Sequence, residues 1–319
     1  MLILRVVVWM SSIGMVVAGV GAVSGQDYPN KPIRLVTTAA GSGSDVTSRV
    51  LAQGVSGPLG QPVIVDNRGT GVIPAGFASK APPDGYTLLV NGNSLWTFPL
   101  LQKTLYDVVR DFSPITLIEM SVNVVVVNPS VPAKSVKGLI ALAKARPGEL
   151  NYGSTVAGSS SHLAAELFKY MAGVNIVHVP YKGMGPALTD LIGGRVQLVV
   201  GSATVMAPHL KSGSLTGLAV TSAAPSALFP ELPTVAATVP GYESVGMTGV
   251  FAPAKTPEAV IKRLNQEMVR FLKTAEAKEK FFGLGAEAVG NLPPELAAAV
   301  KAETGRLDKL IKEIGIRAD

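Results

Sequence analysis

The chain has 319 residues, 47% of them hydrophobic, which is enough for one large or two ordinary α/β domains with buried cores and excludes a disordered protein. Its net charge of +6 arises from 28 Lys and Arg against 22 Asp and Glu dispersed along the sequence, a balance that suits solubility and weak attraction of anions and argues against nucleic acid as a partner. Cysteine is absent, so disulfides, thiolate nucleophiles, zinc-thiolate and iron–sulfur sites and the lipobox of a lipid-anchored bacterial protein are all excluded.

Residues 1–25 read as a secretory signal peptide. Arg5 is the single charge, Val6 to Val23 is almost continuously apolar, and Ala22-Val23-Ser24-Gly25 offers small residues for cleavage after Ser24 or Gly25. An apolar run of about 18 residues also lies at the lower limit for an uncleaved membrane anchor. The mature protein is therefore expected outside the cytoplasmic membrane, free in the periplasm.

Beyond Gln26, short apolar runs bounded by Gly, Pro and Asn alternate with helical patterns, the signature of βα units in largely parallel sheets. Strands are expected at 33–38, 62–66, 87–90, 122–127, 176–179, 196–200 and 217–221, with an extended segment at 150–153. A helix capped by Ser135 places Val136, Leu139, Ile140 and Ala143 on one face and stops at Pro147-Gly148. Thr256-Pro257-Glu258 reads as cap, first-turn proline and acidic first turn of a helix with Val260, Ile261, Leu264, Met268 and Phe271 on its apolar stripe. A further helix spans 294–314. These stripes are core packing and carry no chemistry.

One internal echo is more informative than any single motif. Ala40-Gly41-Ser42-Gly43-Ser44-Asp45-Val46 matches Ala157-Gly158-Ser159-Ser160-Ser161-His162-Leu163 in the same frame, and Val46, Val50 and Leu51 stand opposite Leu163, Leu167 and Phe168. The chain thus builds strand, Gly/Ser loop, helix twice. The first turn of a helix leaves backbone N–H groups without intrahelical partners and carries the positive end of the dipole, so anions collect there. Two such helix starts facing one cleft can hold a carboxylate through neutral donors. Either loop taken alone reads as an ordinary N-cap and turn. Asp45 can cap its own helix, receive a donor on the far end of a ligand, or both.

His162 is one of three histidines; His178 and His209 bear no motif relation to it and form no metal pair, so it is expected to cap or adjoin the ligand rather than catalyse. Gly158-Ser159-Ser160-Ser161-His162 lacks the closing glycine of a nucleophile elbow. No phosphate loop of the Walker type is present. The chain is expected to be no enzyme and to need neither cofactor nor metal; a serine-dependent hydrolase acting through Ser160 is the outlying alternative.

The residues resemble the substrate-binding proteins of tripartite tricarboxylate transporters, the Bug family of periplasmic receptors. The resemblance rests on Tyr28-Pro29-Asn30-Lys31-Pro32-Ile33, the loop Ala39 to Asp45, Asp66-Asn67-Arg68, Pro82-Pro83-Asp84-Gly85-Tyr86, Asn151-Tyr152-Gly153-Ser154, Ser159 to Glu166, His178-Val179-Pro180-Tyr181-Lys182-Gly183, Pro186 to Gly194, Glu231-Leu232-Pro233-Thr234-Val235, and Phe251-Ala252-Pro253-Ala254 with Thr256-Pro257.

It implies an α/β, type II periplasmic-binding-protein fold, with two lobes, a ligand cleft and crossing hinge strands. Lobe 1 is expected to comprise residues 26–122 plus 247–319, and lobe 2 residues 123–246. It implies a small carboxylate held by Gly41, Ser42, Gly43, Ser44 and Asp45 of one lobe and Ser159, Ser160, Ser161 and His162 of the other, with Tyr181 and Lys182 near the cleft. The implied partners are the membrane components of a tripartite tricarboxylate transporter, with the receptor itself a monomer; a same-fold receptor serving a sensor or regulator is the alternative.

Three departures from the family pattern bear on the ligand. Gly41-Ser42-Gly43 replaces three glycines, the segment 69–78 is shorter than usual, and Met247-Thr248 stands where relatives commonly carry Trp-Tyr or Trp-Phe.

Overall fold

The computed structural model describes residues 28–69, 72–155 and 158–315. The segment 1–25, read above as a signal peptide, lies outside them. The first half of the chain runs β1 (Ile33–Thr37), α1 (Gly43–Leu59), β2 (Val63–Asn67), α2 (Ile73–Ala78), β3 (Thr87–Gly92), α3 (Ser94–Leu101) and α4 (Val108–Asp111) into the long strand β4 (Phe112–Val127). The second run is α5 (Val136–Ala145), β5 (Asn151–Ser154), α6 (Ser160–Ala172), β6 (Val177–Pro180), α7 (Met184–Ile192), β7 (Leu198–Ser202), α8 (Ala203–Lys211) and β8 (Thr216–Val220). The chain then returns through β9 (Val245–Pro253), α9 (Glu258–Leu272), α10 (Ala275–Gly283), β10 (Ala286–Ala288) and α11 (Pro293–Ile314).

The strands order as β2-β1-β3-β9-β4-β7-β5-β6, with β8 and β10 also paired to β4. Pairings β1/β2, β1/β3, β5/β6 and β5/β7 are parallel, whereas every pairing made by β4 or β9 is antiparallel. The expected largely parallel sheet is therefore a mixed one. βα units build each parallel part, and the long strands β4 and β9 pair antiparallel between them.

β4 changes partners along its length. Residues 112–122 pair with β9, and 123–127 pair with β7. Val124 to Val127 are fully buried, as a strand covered on both faces must be. Separate apolar clusters pack the two ends of the sheet: Leu35, Leu51, Val90, Ile115 and Leu264 under α1 and α9, and Val124, Val126, Leu191, Val199 and Met206 under α7 and α8. Each such buried Leu, Ile or Val contributes about 1.5–3 kcal/mol.

The periodic sequence reads β1, β2, β3, β5, β6, β7 and β8 to within two residues, and Ser135 caps α5 by accepting from Gly138 N. It misses the first ten residues of β4, all of β9, and β10. Pro114 and Glu119 disguise β4, and Gly246, Gly249 and Pro253 disguise β9, because proline and glycine ordinarily mark breaks in strands. The β4/β9 register absorbs these residues as irregularities between Pro114 and Thr116 and between Leu117 and Glu119. At α9 the expected cap shifts by one residue: Pro257 is the N-cap, and the Thr256 hydroxyl donates back to Pro253 O at 2.8 Å.

Candidate functional site: a cleft between two helix starts

From Gly41 and Gly158 onward, the two echoed loops repeat the same capping geometry. Gly41 and Gly158 both take left-handed backbones, with φ of +79° and +78°, a region in which a side chain is strained. Ser42 follows in extended conformation and caps α1, its Oγ accepting from Asp45 N at 3.2 Å. Ser159 does the same for α6, accepting from His162 N at 3.3 Å. The residue three past each cap then reaches back: Asp45 Oδ2 accepts from Gly41 N at 2.8 Å, and His162 Nδ1 accepts from Gly158 N at 3.1 Å. These clamps consume the amides on either side of the cap. The amides at the first two helical positions, Gly43 and Ser44 in α1 and Ser160 and Ser161 in α6, have no intrahelical acceptor.

Both helix starts open on one cleft of about 370 Å³. Thr38, Ala39 and Ser42 to Ser44 form one wall and Gly158, Ser159 and Ser160 another; Asn91 to Ser94, Phe98, Glu119 and Ser121 of β4, and Gly246 to Thr248 of β9 complete the lining. Among the described residues no Lys or Arg lines it, and Glu119 is its one ionisable group. The positive potential of the cleft therefore comes from two helix dipoles and main-chain amides. Asn91 adds an Nδ2 with no partner in the buried interior, while Asn93 ties the wall together, accepting from Met247 N at 2.6 Å and donating to Val245 O at 3.2 Å.

Of the residues expected at the site, Ser42, Gly43, Ser44, Ser159 and Ser160 are brought together on the cleft walls. Gly41, Asp45, Ser161 and His162 stand just behind them. Asp45 resolves as a loop clamp: besides Gly41 N, its carboxylate accepts from Asn67 Nδ2 at 2.9 Å and pairs with Arg49 at 3.0 Å. Burial works to raise its carboxyl, but the donors Asn67, Gly41 and Arg49 outweigh it and hold the group below the ordinary carboxylate range. Ser161 Oγ accepts from Thr155 N at 3.3 Å. Tyr181 and Lys182 are not among the lining residues; the Tyr181 hydroxyl donates to Asp190 at 2.8 Å, and Lys182 is exposed.

His162 belongs to a stack behind the second loop. Its ring lies 4.4 Å from that of His178, which in turn stacks on Tyr152 at 4.8 Å. His178 Nε2 meets Ser154 Oγ at 2.7 Å, and Tyr152 donates to Glu166 at 2.6 Å. Burial first, and the neighbouring His178 second, push the His162 imidazole down to about 4. The ring is therefore neutral at physiological pH, with Nδ1 free to accept from Gly158. Among the described residues no cluster of His, Asp and Glu could hold a metal ion.

Sequence reasoning missed Asn91, Asn93, Glu119 and Ser121. Only Glu119 left a signal, as the single charge within the apolar run of β4. Met247 and Thr248 had been marked by their departure from the family pattern, and both line the cleft.

Residues 47–316 match the profile described as the tripartite tricarboxylate transporter family receptor. The chain belongs to this receptor family. The receptor is 35% identical over 308 residues to protein BugT of Bordetella pertussis, with 94% of each chain covered. Among solved structures it is similar to R. palustris Rpa4515 with adipate, at TM-score 0.82 and 37% identity, covering 91% of this chain and 99% of that one. It is also similar to MatC from Rhodopseudomonas palustris with bound malate, at TM-score 0.75 and 26% identity, covering 89% and 100%. The receptor's fold is accordingly that of the type II periplasmic binding proteins, with β4 and β9 as the crossing strands. No helix among its described residues is long and apolar enough to cross a membrane.

Proposed function

We propose that this receptor captures a small carboxylate in the periplasm and presents it to the membrane components of a tripartite tricarboxylate-type transporter. The observation that carries the reading is the opening of two helix N-termini, those of α1 and α6, on one cleft free of Lys and Arg. A headgroup seated between them accepts from the amides of Gly43, Ser44, Ser160 and Ser161, with the Ser44 and Ser160 hydroxyls beside them. The bound adipate and malate of the two solved relatives support the carboxylate class. Lobes 26–122 plus 247–319 and 123–246 are proposed to close on the ligand by bending where β4 passes from β9 to β7, between Val122 and Asn123.

Thermal unfolding of the purified receptor across mono-, di- and tricarboxylates and amino acids tests the binding reading, because a ligand that binds only the folded state raises its stability. At least one small carboxylate should raise Tm, and uptake of that compound should disappear when the gene is deleted. A carboxylate panel that leaves Tm unmoved would remove the binding reading; binding without loss of uptake would remove the transport partner.

A further inference from the structure

The cleft contains one group that the grip on a carboxylate does not use. Glu119 sits in the middle of β4 and is only 7% exposed, yet it lines the cleft. A register irregularity between Leu117 and Glu119 sets it opposite Thr248 of β9, whose Oγ1 donates to Glu119 Oε1 at 3.0 Å. Irregularities of this kind re-aim side chains. The Thr47 hydroxyl of α1 also favours the charged form of the carboxyl. Both donors are neutral hydroxyls, and among the described residues no cation pairs with the carboxylate.

A buried carboxylate without a countercharge is costly, and fixed dipoles alone compensate it only in part. The remaining lining offers no cation either: Asn91, Ser121 and Met247 are all uncharged. A ligand with a second carboxylate would set two negative groups against each other within one cleft. A ligand carrying an ammonium group would supply the charge the site lacks. We propose that Glu119 is the specificity-determining residue of the cleft, receiving an ammonium group of the ligand so that amino acids are preferred over dicarboxylates of the same length. Burial raises the Glu119 carboxyl above the ordinary range, while the Thr47 and Thr248 hydroxyls pull it down; contact with an ammonium removes the remaining penalty.

The inference rests on the twin-loop carboxylate site proposed above, and the ligands can be chosen to separate the two. Isothermal titration of the purified receptor at neutral pH would compare ω-amino acids, from glycine to 6-aminohexanoate, with dicarboxylates of equal chain length. L-aspartate and L-glutamate would be compared with succinate and glutarate. In at least one matched pair the amino acid should bind about tenfold or more tighter, the scale of a charge-assisted hydrogen bond. Glu119→Gln should reduce that ratio by about tenfold. Dicarboxylates binding as well as or better than their amino counterparts in every pair overturns the inference and leaves the carboxylate site standing. So does a ratio that Glu119→Gln leaves unmoved with Tm intact. Silence of both series overturns the carboxylate site and this inference together. The wild-type ratios need no variant, so the test survives if the substitution prevents folding.

Discussion

Gly41 and Gly43 lie two positions apart in the first loop and meet opposite demands. Gly41 occupies a left-handed backbone, where any side chain is strained; a Cβ built on Gly43 meets no atom within 4 Å and its φ is ordinary. Gly43→Leu should therefore fold with Tm close to wild type, while its side chain occupies space at the carboxylate position and weakens binding by about 2 kcal/mol or more. Titration beside a melting curve checks both halves; full affinity in a folded variant would place the ligand elsewhere.

His162 makes a second prediction at this scale. Its folded-state pKa of about 4 lies below the ordinary 6.5, so between these values the unfolded chain binds the proton more readily than the native one. Stability should be intact above about pH 6.5, decline as pH falls toward about 4, and level off below, with up to about 3 kcal/mol at stake. Protonation also removes the acceptor that holds Gly158 N. Urea unfolding across this range should show the decline, and His162→Asn, which keeps an acceptor but does not titrate, should flatten it.

At the scale of elements, the two βα starts are built alike and lie on different helices. Ser42→Ala and Ser159→Ala should each cost about 1 kcal/mol by loss of a cap, and the double variant about 2 kcal/mol if the starts act independently. Chemical denaturation of the single and double variants measures this. A sum well beyond additivity would mean that the starts are coupled across the cleft even without ligand.

The pattern of legibility follows from the same elements. β1, β3 and β7 were readable because strands buried by helices on both faces carry dense Val, Leu and Ile. The loops were readable because capping and left-handed turns restrict residue choice to Ser and Gly within a few positions of chain. The first ten residues of β4 and all of β9 were not, since Pro114, Gly246 and Gly249 read as breaks and are accommodated only by pairing between strands more than a hundred residues apart in the chain. Asp45 was left open between capping and ligand contact, roles that do not exclude each other; Asn67 and Arg49, brought up by β2 and by the next turn of α1, supply its clamp contacts.

At the scale of the whole molecule, the antiparallel pair β4 and β9 joins two parallel βα arrays and places both loops over one cleft. Closure about that pair should compact the protein. Saturating ligand should lower the radius of gyration in small-angle scattering, and ligand at a hundredfold excess over Kd should add about 2.7 kcal/mol to the unfolding free energy. Stabilisation without compaction would indicate a cleft already closed before binding.

Sequence by itself determined the βα units, the two capped helix starts and the absence of thiol chemistry, because each depends on residue type and on neighbours a few positions away. It also carried the family, through motifs in order along the chain. Only the tertiary structure decided that Asn91, Glu119, Ser121 and Thr248 share the cleft with those helix starts, and that Asp45 and His162 serve the loops from behind. These assignments depend on strand register and on which face of a strand meets the cleft, and both are set by pairing between segments far apart in the chain.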